Sequence, residues 1–325
     1  MIESAPNIDE VRELRAALGE HVVRTPFVRC AGLEDAIGGN TQVHGKLEFL
    51  QRTGTFKARG ALSVARTLSS EQLAAGVTAV SAGNHAIAVA FAARETGTNA
   101  KVVMTRSANP GRVAACKAYG AEVVFADDVH VAFDVAAKIR QEEGRYFIHP
   151  FDGKAIATGT GTVGLEMFEQ YPDFDVLLVS VGGGGLIGGI ANAVKQLKPE
   201  CEIIGVEPEG ADSMQRSIAA GEPCGVEAVQ TIADSLGAPY AMPYSFELCR
   251  NNVDRFVSLP DTSFRRAMGF LYSHMQIAVE PACAATTAAL LGPLRDELRG
   301  KRVANVFCGS NIDWDTFASQ VSFDE

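Results

Sequence analysis

Four short segments carry residue types that could do chemistry at their spacing. Gly182-Gly183-Gly184-Gly185, with Leu186 behind it, follows a strongly apolar run and precedes a helical pattern. Glycine lets a backbone close on an anion and aim several N–H groups at it, and the following helix N-terminus adds a favourable dipole. The segment lacks the Gly-Lys-Ser/Thr of a triphosphate loop and matches a dinucleotide fingerprint only when forced. Lys57, in TGTFKARGA, stands among small and apolar residues where a helix opens. Desolvation and the helix dipole both disfavour an ammonium there. Its pKa should fall, which suits an amine that attacks a carbonyl. Ser81-Ala82-Gly83-Asn84-His85 repeats the order strand, turn, helix start. Its hydroxyl, amide and turn N–H groups suit a carboxylate. Cys308-Gly309-Ser310-Asn311 closes another strand, at the end where open α/β sheets bind ligands. Each segment also has an ordinary alternative: close packing, a surface lysine, a structural histidine, an inert buried thiol.

The elements that must position these segments are legible as apolar runs bounded by turn residues. Strands are predicted at Gly76–Ser81, Ala100–Met104, Glu122–Phe125, Asp175–Val181, Glu202–Val206 and Arg302–Cys308. Helices are predicted at Phe56–Ser69, Asn84–Thr96, Pro110–Tyr119, Asp128–Glu143, Gly161–Gln170 and Leu186–Leu197, then Ser263–Ala278 and Pro281–Leu298. Alternating strands and helices imply parallel sheets covered on both faces, an α/β class. Two lobes with the site in the cleft between them are expected.

Composition bounds the partners. The chain has 325 residues, 47% of them apolar and 21% charged, which suits one or two folded domains. Its net charge of −10 and lack of a basic run make nucleic acid an unlikely partner. The uncharged run Val176–Val194 has the length of a membrane span, but its glycines would cripple a continuous helix. No membrane partner is expected. Seven scattered cysteines with no zinc-ligand spacing, and an N-terminus charged early, imply free thiols in a reducing cytoplasm.

Together, and in this order, the four segments resemble one family. They are similar to the motifs of pyridoxal 5′-phosphate (PLP) enzymes of the tryptophan-synthase-β fold (fold type II), within the serine/threonine dehydratase and serine racemase group. His149-Pro150-Phe151-Asp152, Gly159-Thr160-Gly161-Thr162, Val206-Glu207-Pro208 and Thr231-Ile232-Ala233-Asp234 match as well. The resemblance implies two open parallel-sheet lobes with PLP in the cleft. A large PLP-binding domain would comprise residues 1–75 and 151–325, and a small mobile domain residues 76–150. It implies that Lys57 holds the cofactor as a Schiff base and moves the α-proton. Phe56 would pack beside the ring and Asn84 bond its 3′ oxygen. Gly182, Gly183, Gly184, Gly185 and Leu186 would hold the phosphate, and Cys308 would face the pyridine nitrogen. Ser81, Ala82, Gly83, Asn84 and His85 would hold the substrate carboxylate. The implied activity is loss of water from a 3-hydroxy amino acid, giving a 2-oxo acid and ammonia, by a homodimer.

The chain also departs from the group. Racemases of the group carry a serine at the position of Ala82, so racemisation should be weak or absent. Their divalent-metal site (magnesium or calcium) maps onto Glu207, Ala211 and Ser213, and Ser213 replaces an acid. Ser235 stands where the group has glycine, which leaves the substrate open among serine, threonine, 3-hydroxyaspartate and 3-phenylserine. Rival readings are a β-replacement synthase of the same fold, a nicotinamide-dependent oxidoreductase and a silent binding protein. The oxidoreductase leaves TGTFKARGA and CGSN without a role, and the intact Lys57 argues against the binding protein.

Overall fold

In the computed structural model, which describes residues 3–323, the apolar runs form two sheets. The strands are β1 (Phe27–Arg29), β2 (Gln42–Leu47), β3 (Val77–Val80), β4 (Ala100–Thr105), β5 (Glu122–Ala126), β6 (Tyr146–Phe147), β7 (Val176–Ser180), β8 (Glu202–Pro208), β9 (Arg255–Leu259) and β10 (Arg302–Phe307). One sheet runs β1-β2-β10-β7-β8-β9 and the other β5-β4-β3-β6. Both are parallel except at one edge, where β1 pairs antiparallel with β2. The larger sheet is therefore mixed, not wholly parallel as expected. An antiparallel edge strand needs no covering crossover, and β1 is correspondingly exposed.

All six predicted strands form. Strands β1, β2, β6 and β9 were not anticipated. β2 contains His44 and Lys46, which hide its apolar pattern, and β9 is a half-buried edge. The run Val176–Val194 divides into β7, a turn and the helix Gly185–Leu197. Among the described residues no helix is long and apolar enough to cross a membrane.

Two helix boundaries differ from expectation. The helix predicted from Gly161 begins at Lys154. Glycines that read as breakers are there for contact: a Cβ on Gly159 would lie 2.7 Å from the Arg59 carbonyl oxygen. The helix Lys57–Thr67 thus approaches Lys154–Gln170 backbone to backbone. The helix Pro281–Leu291 stops short of Leu298, with Gly292 and Pro293 directly after it.

The helix that starts at Lys57 is fixed by charge. Arg59, wholly buried, donates to Glu48 at 2.8 and 2.9 Å and to Glu166 at 2.8 and 3.0 Å. It also reaches Thr162 and the carbonyl of Val23, both at 3.1 Å. Lys46 and Arg15 complete the cluster on Glu166, at 2.7 and 2.5 Å. Burial would raise the Glu166 pKa, but Arg59 and Lys46 outweigh it and hold the carboxyl at about 2. Removing Arg59 would leave buried Glu48 without its ion-pair partner and take one of three cations from Glu166. Arg59→Met is expected to lower the unfolding free energy by about 3–5 kcal/mol, read by urea unfolding under circular dichroism. A loss below about 1 kcal/mol would contradict the assignment of Arg59 as the lock on this helix.

Candidate active site

Parallel pairing brings three of the four segments together. Strands β2, β10 and β7 are neighbours and end on the same side. Their following loops carry Lys57, Cys308 and the four glycines. The loops are tied directly: the Phe56 amide donates to the Cys308 carbonyl at 3.2 Å, and Ser310 N to Gly54 O at 3.1 Å. Strand β3 of the other sheet ends at Val80, and the loop that starts with Ser81 faces the same space. The result is a cavity of about 340 Å³ between the sheets, within the usual range for small-molecule sites. Phe56, Lys57, Ser81, Ala82, Gly83, Asn84, His85, Gly182 to Leu186 and Cys308 all line it.

Lys57 opens its helix, and its Nζ donates to the Pro150 carbonyl at 2.6 Å, 5.2 Å from the centre of the Phe56 ring. Burial pushes its pKa down to about 8, although Cys308 and Glu280 pull it upward. The two histidines are held neutral. Burial, then the charge of Lys57, takes His85 down to about 3, and its Nε2 is bonded to the Ile148 carbonyl at 2.9 Å. His149 is pushed to about 4 by burial. Its Nδ1 accepts from the Phe151 and Asp152 amides, so a neutral ring carries its proton on Nε2. Lys57 is the one lysine or arginine lining the cavity among the described residues.

The carboxylate-type loop is braced from across the cleft. Gly83 N donates to Ser81 Oγ at 3.1 Å. The Asn84 amide donates to Glu280 at 2.8 and 3.1 Å and to Ser235 at 3.1 Å, and its oxygen accepts from Asn311 at 2.8 Å. Ser235 therefore adds a hydrogen bond inside the site. Glu280 was missed by sequence reasoning. It is 2% exposed, and burial raises its pKa while Arg112 and Asn84 pull it down. Its one sequence signal is an acid isolated in the apolar run 277–285. Arg112 links the two sides again, through Asp234 and, at 3.6 Å, Glu280.

The glycine turn leaves no room for side chains. A Cβ on Gly183 would sit 2.4 Å from the Phe151 ring, and Gly184 has φ +86°, a left-handed conformation that favours glycine. The turn feeds the helix Gly185–Leu197, so backbone N–H groups and a helix dipole face the cavity. Ser180 Oγ lies beneath, buried and without a hydrogen-bond partner. These features fit PLP: an anion cradle, a neutral-leaning amine and a flat apolar wall at Phe56. Cys308 is buried at 3% exposure, and its neighbour Cys283, with burial, pushes the thiol well above its ordinary range.

The expected metal residues are arranged otherwise. Both Glu207 oxygens accept backbone amides, Met214 N at 2.9 Å and Gln215 N at 2.7 Å, at the start of the helix Ser213–Ala220. Burial pushes the Glu207 carboxyl up to about 8. Ser213 is buried and offers only a hydroxyl. Among the described residues no group of three His, Cys, Asp or Glu side chains could hold a metal ion. One carboxylate used as a helix cap, with the unpartnered Ser213 hydroxyl in place of a second acid, is a sparse set of donors for a hard divalent cation.

Residues 18–309 match the family model described as pyridoxal-phosphate dependent enzyme. The chain belongs to that family, in its fold type II branch, which includes threonine and serine dehydratases and serine racemases. It is 51% identical to a phenylserine dehydratase of Ralstonia pickettii, over 96% of this chain and 95% of the relative. It is 37% identical to an L-threonine ammonia-lyase of Thermotoga maritima, over 94% of this chain and 76% of the relative. The structure of maize serine racemase superposes with a TM-score of 0.92 at 34% identity, covering 97% of each chain.

The lowered Lys57 pKa has a direct readout. Only the neutral amine reacts with acylating reagents, so a depressed pKa moves reactivity to lower pH. Acetylation of Lys57 in cofactor-free protein, followed by mass spectrometry, is expected to rise with pH around a midpoint near 8. A midpoint near the ordinary lysine value of about 10.4 would contradict the environment described.

Proposed function

We propose that the substrate of this PLP-dependent dehydratase is an aromatic 3-hydroxy amino acid of the 3-phenylserine type. The carrying observation is the outer wall of the cavity. Val129, Phe133 and Tyr240 line it and are 51%, 45% and 43% exposed. A phenyl group would bury them, whereas a second carboxylate, as in 3-hydroxyaspartate, would find no free cation on the lining. The 51% identity to a phenylserine dehydratase supports the same reading.

The residues divide the work. The bound cofactor supplies an electron sink for the α-carbon. Gly182 to Gly185 and the helix behind them hold its phosphate, and Cys308 offers a neutral thiol to the ring nitrogen. Phe56 covers the ring. The N–H groups of the Ser81–His85 turn hold the substrate carboxylate, with Asn84 oriented by Glu280. Lys57, low in pKa, takes the α-proton, and the Cβ–O bond breaks as the hydroxyl takes up a proton and leaves as water; a proton that Lys57 gives back before that step returns to the same face of Cα. Ala82 cannot donate a proton from the opposite face, so configuration at Cα is kept. No step of this scheme calls on a divalent cation, and Glu207 caps a helix. The segment 76–150 acts as a small mobile domain against the rest. Polar pairs cross the cleft at its mouth, among them Asn109 to Asp313 and Arg112 to Asp234, while the helix Asn84–Glu95 packs on the helix Lys57–Thr67 through a shared apolar core that includes Leu62 and Phe91. Seven unpaired thiols suit a reducing compartment.

The test is ammonia release from purified enzyme with 3-phenylserine, threonine, serine and 3-hydroxyaspartate. 3-Phenylserine is expected to give the highest kcat/KM, by at least about 10-fold, as one well-buried apolar group allows. A higher value for serine, threonine or 3-hydroxyaspartate would overturn the proposal. Chiral chromatography of unreacted substrate at partial conversion should show no inverted α-centre. Inversion at a rate comparable to ammonia release would show that another group serves the second face.

A further inference from the structure

Two aromatic side chains face the cavity mouth from opposite lobes, and neither has a partner among the described residues. Phe133 lies on the helix Val129–Glu143, one turn after Val129, so both project from the same helix face. Ala132, beside them on the lining, is fully buried and anchors that turn. Across the opening, Tyr240 is held by its backbone: it bridges to Gly225, while Val226 N donates to Pro239 O at 2.9 Å and Ala241 N to Cys224 O at 3.0 Å. Its ring and hydroxyl make no ring contact or hydrogen bond. Exposed aromatics are common on this surface, but Phe133 and Tyr240, with Val129, line the same cavity as Lys57, where their apolar faces are open to whatever enters.

We propose that Phe133 and Tyr240 form a specificity clamp that closes on the aromatic ring of the substrate from the two lobes. This rests on the aromatic-substrate reading above and adds the residues that enforce it. A phenyl ring inserted in the gap gains an aromatic neighbour on each side, in the offset or edge-on arrangements such rings favour. One jaw belongs to segment 76–150 and the other to the rest of the chain. Ring binding therefore favours the closed arrangement of the lobes, and a substrate with a methyl or hydrogen at that position gains neither contact. Phe133 and Tyr240 touch no reacting atom in this scheme. They set which side chain is accepted.

The test uses holoenzyme and two ligands that lack a β-hydroxyl and so cannot be dehydrated, L-phenylalanine and L-alanine. Binding is read from the visible absorbance of the cofactor. In the wild type L-phenylalanine should bind more tightly than L-alanine. Phe133→Ala and Tyr240→Ala should each reduce the ratio of the two affinities at least about 10-fold, and Phe133→Leu should reduce it less, because it keeps an apolar contact. In turnover the loss with 3-phenylserine should fall mainly on KM. Ratios within about twofold of wild type would overturn the clamp. If an alanine variant fails to fold, the leucine variants, Phe133→Leu and Tyr240→Leu, carry the same test. The two readings fail separately. An enzyme that turns over threonine or serine best sinks the aromatic substrate. An enzyme that prefers 3-phenylserine yet is indifferent to these variants sinks the clamp alone.

Discussion

The buried guanidinium of Arg59 between Glu48 and Glu166 is the constraint on which the site depends. Only Ala58 separates it from Lys57, so whatever fixes Arg59 fixes the start of that helix. Its partners come from the turn after β2 and from the middle of the helix Lys154–Gln170. A cluster of this kind contributes little net stability against an apolar replacement, because desolvating five charged groups opposes their attraction. Its value lies in direction. Hydrogen bonds at 2.8 to 3.1 Å to fixed acceptors allow one placement of the helix, and Gly159 lets the neighbouring helix come close enough for them to form.

From that anchor the electrostatics of the cavity follow. The amine of Lys57 enters a space whose histidines are neutral and whose one buried carboxylate, Glu280, is spent on Asn84 and Arg112. Little remains to stabilise an ammonium, which is why burial dominates its pKa. The positive potential for an anion comes instead from backbone N–H groups at two helix starts, behind the glycine turn and behind Ser81. Backbone donors suit a phosphate and a carboxylate without adding a cation to the site.

Legibility in the sequence followed locality. The four site segments could be read because a turn of small residues after an apolar strand is a local pattern; the ends of β2, β7 and β10 bring three of them together, and β3 of the other sheet supplies the fourth. Strand β2 could not be read, because Lys46 inside it looks like a surface residue. Its ammonium is satisfied by Glu166, 120 positions away. The early start of the helix at Lys154 was hidden by Gly159 and Gly161, whose use is contact with other helices rather than flexibility. Glu280 had only its isolation in an apolar run to mark it, and its meaning depends on Asn84, 196 positions distant. The setting of Glu207 was hidden for a related reason: it caps a helix that begins six residues later, a partner no spacing rule reveals.

An amine of lowered pKa, two helix starts with backbone N–H groups and an apolar mouth suit the proposed aromatic substrate, its α-carbon at Lys57. The most direct measurement is a crystal structure of the PLP-loaded enzyme with L-phenylalanine bound. The carboxylate is expected on the N–H groups of the Ser81–His85 turn and the phenyl ring in the gap between Phe133 and Tyr240. A ring directed to solvent, or a carboxylate bound away from that turn, would contradict the placement.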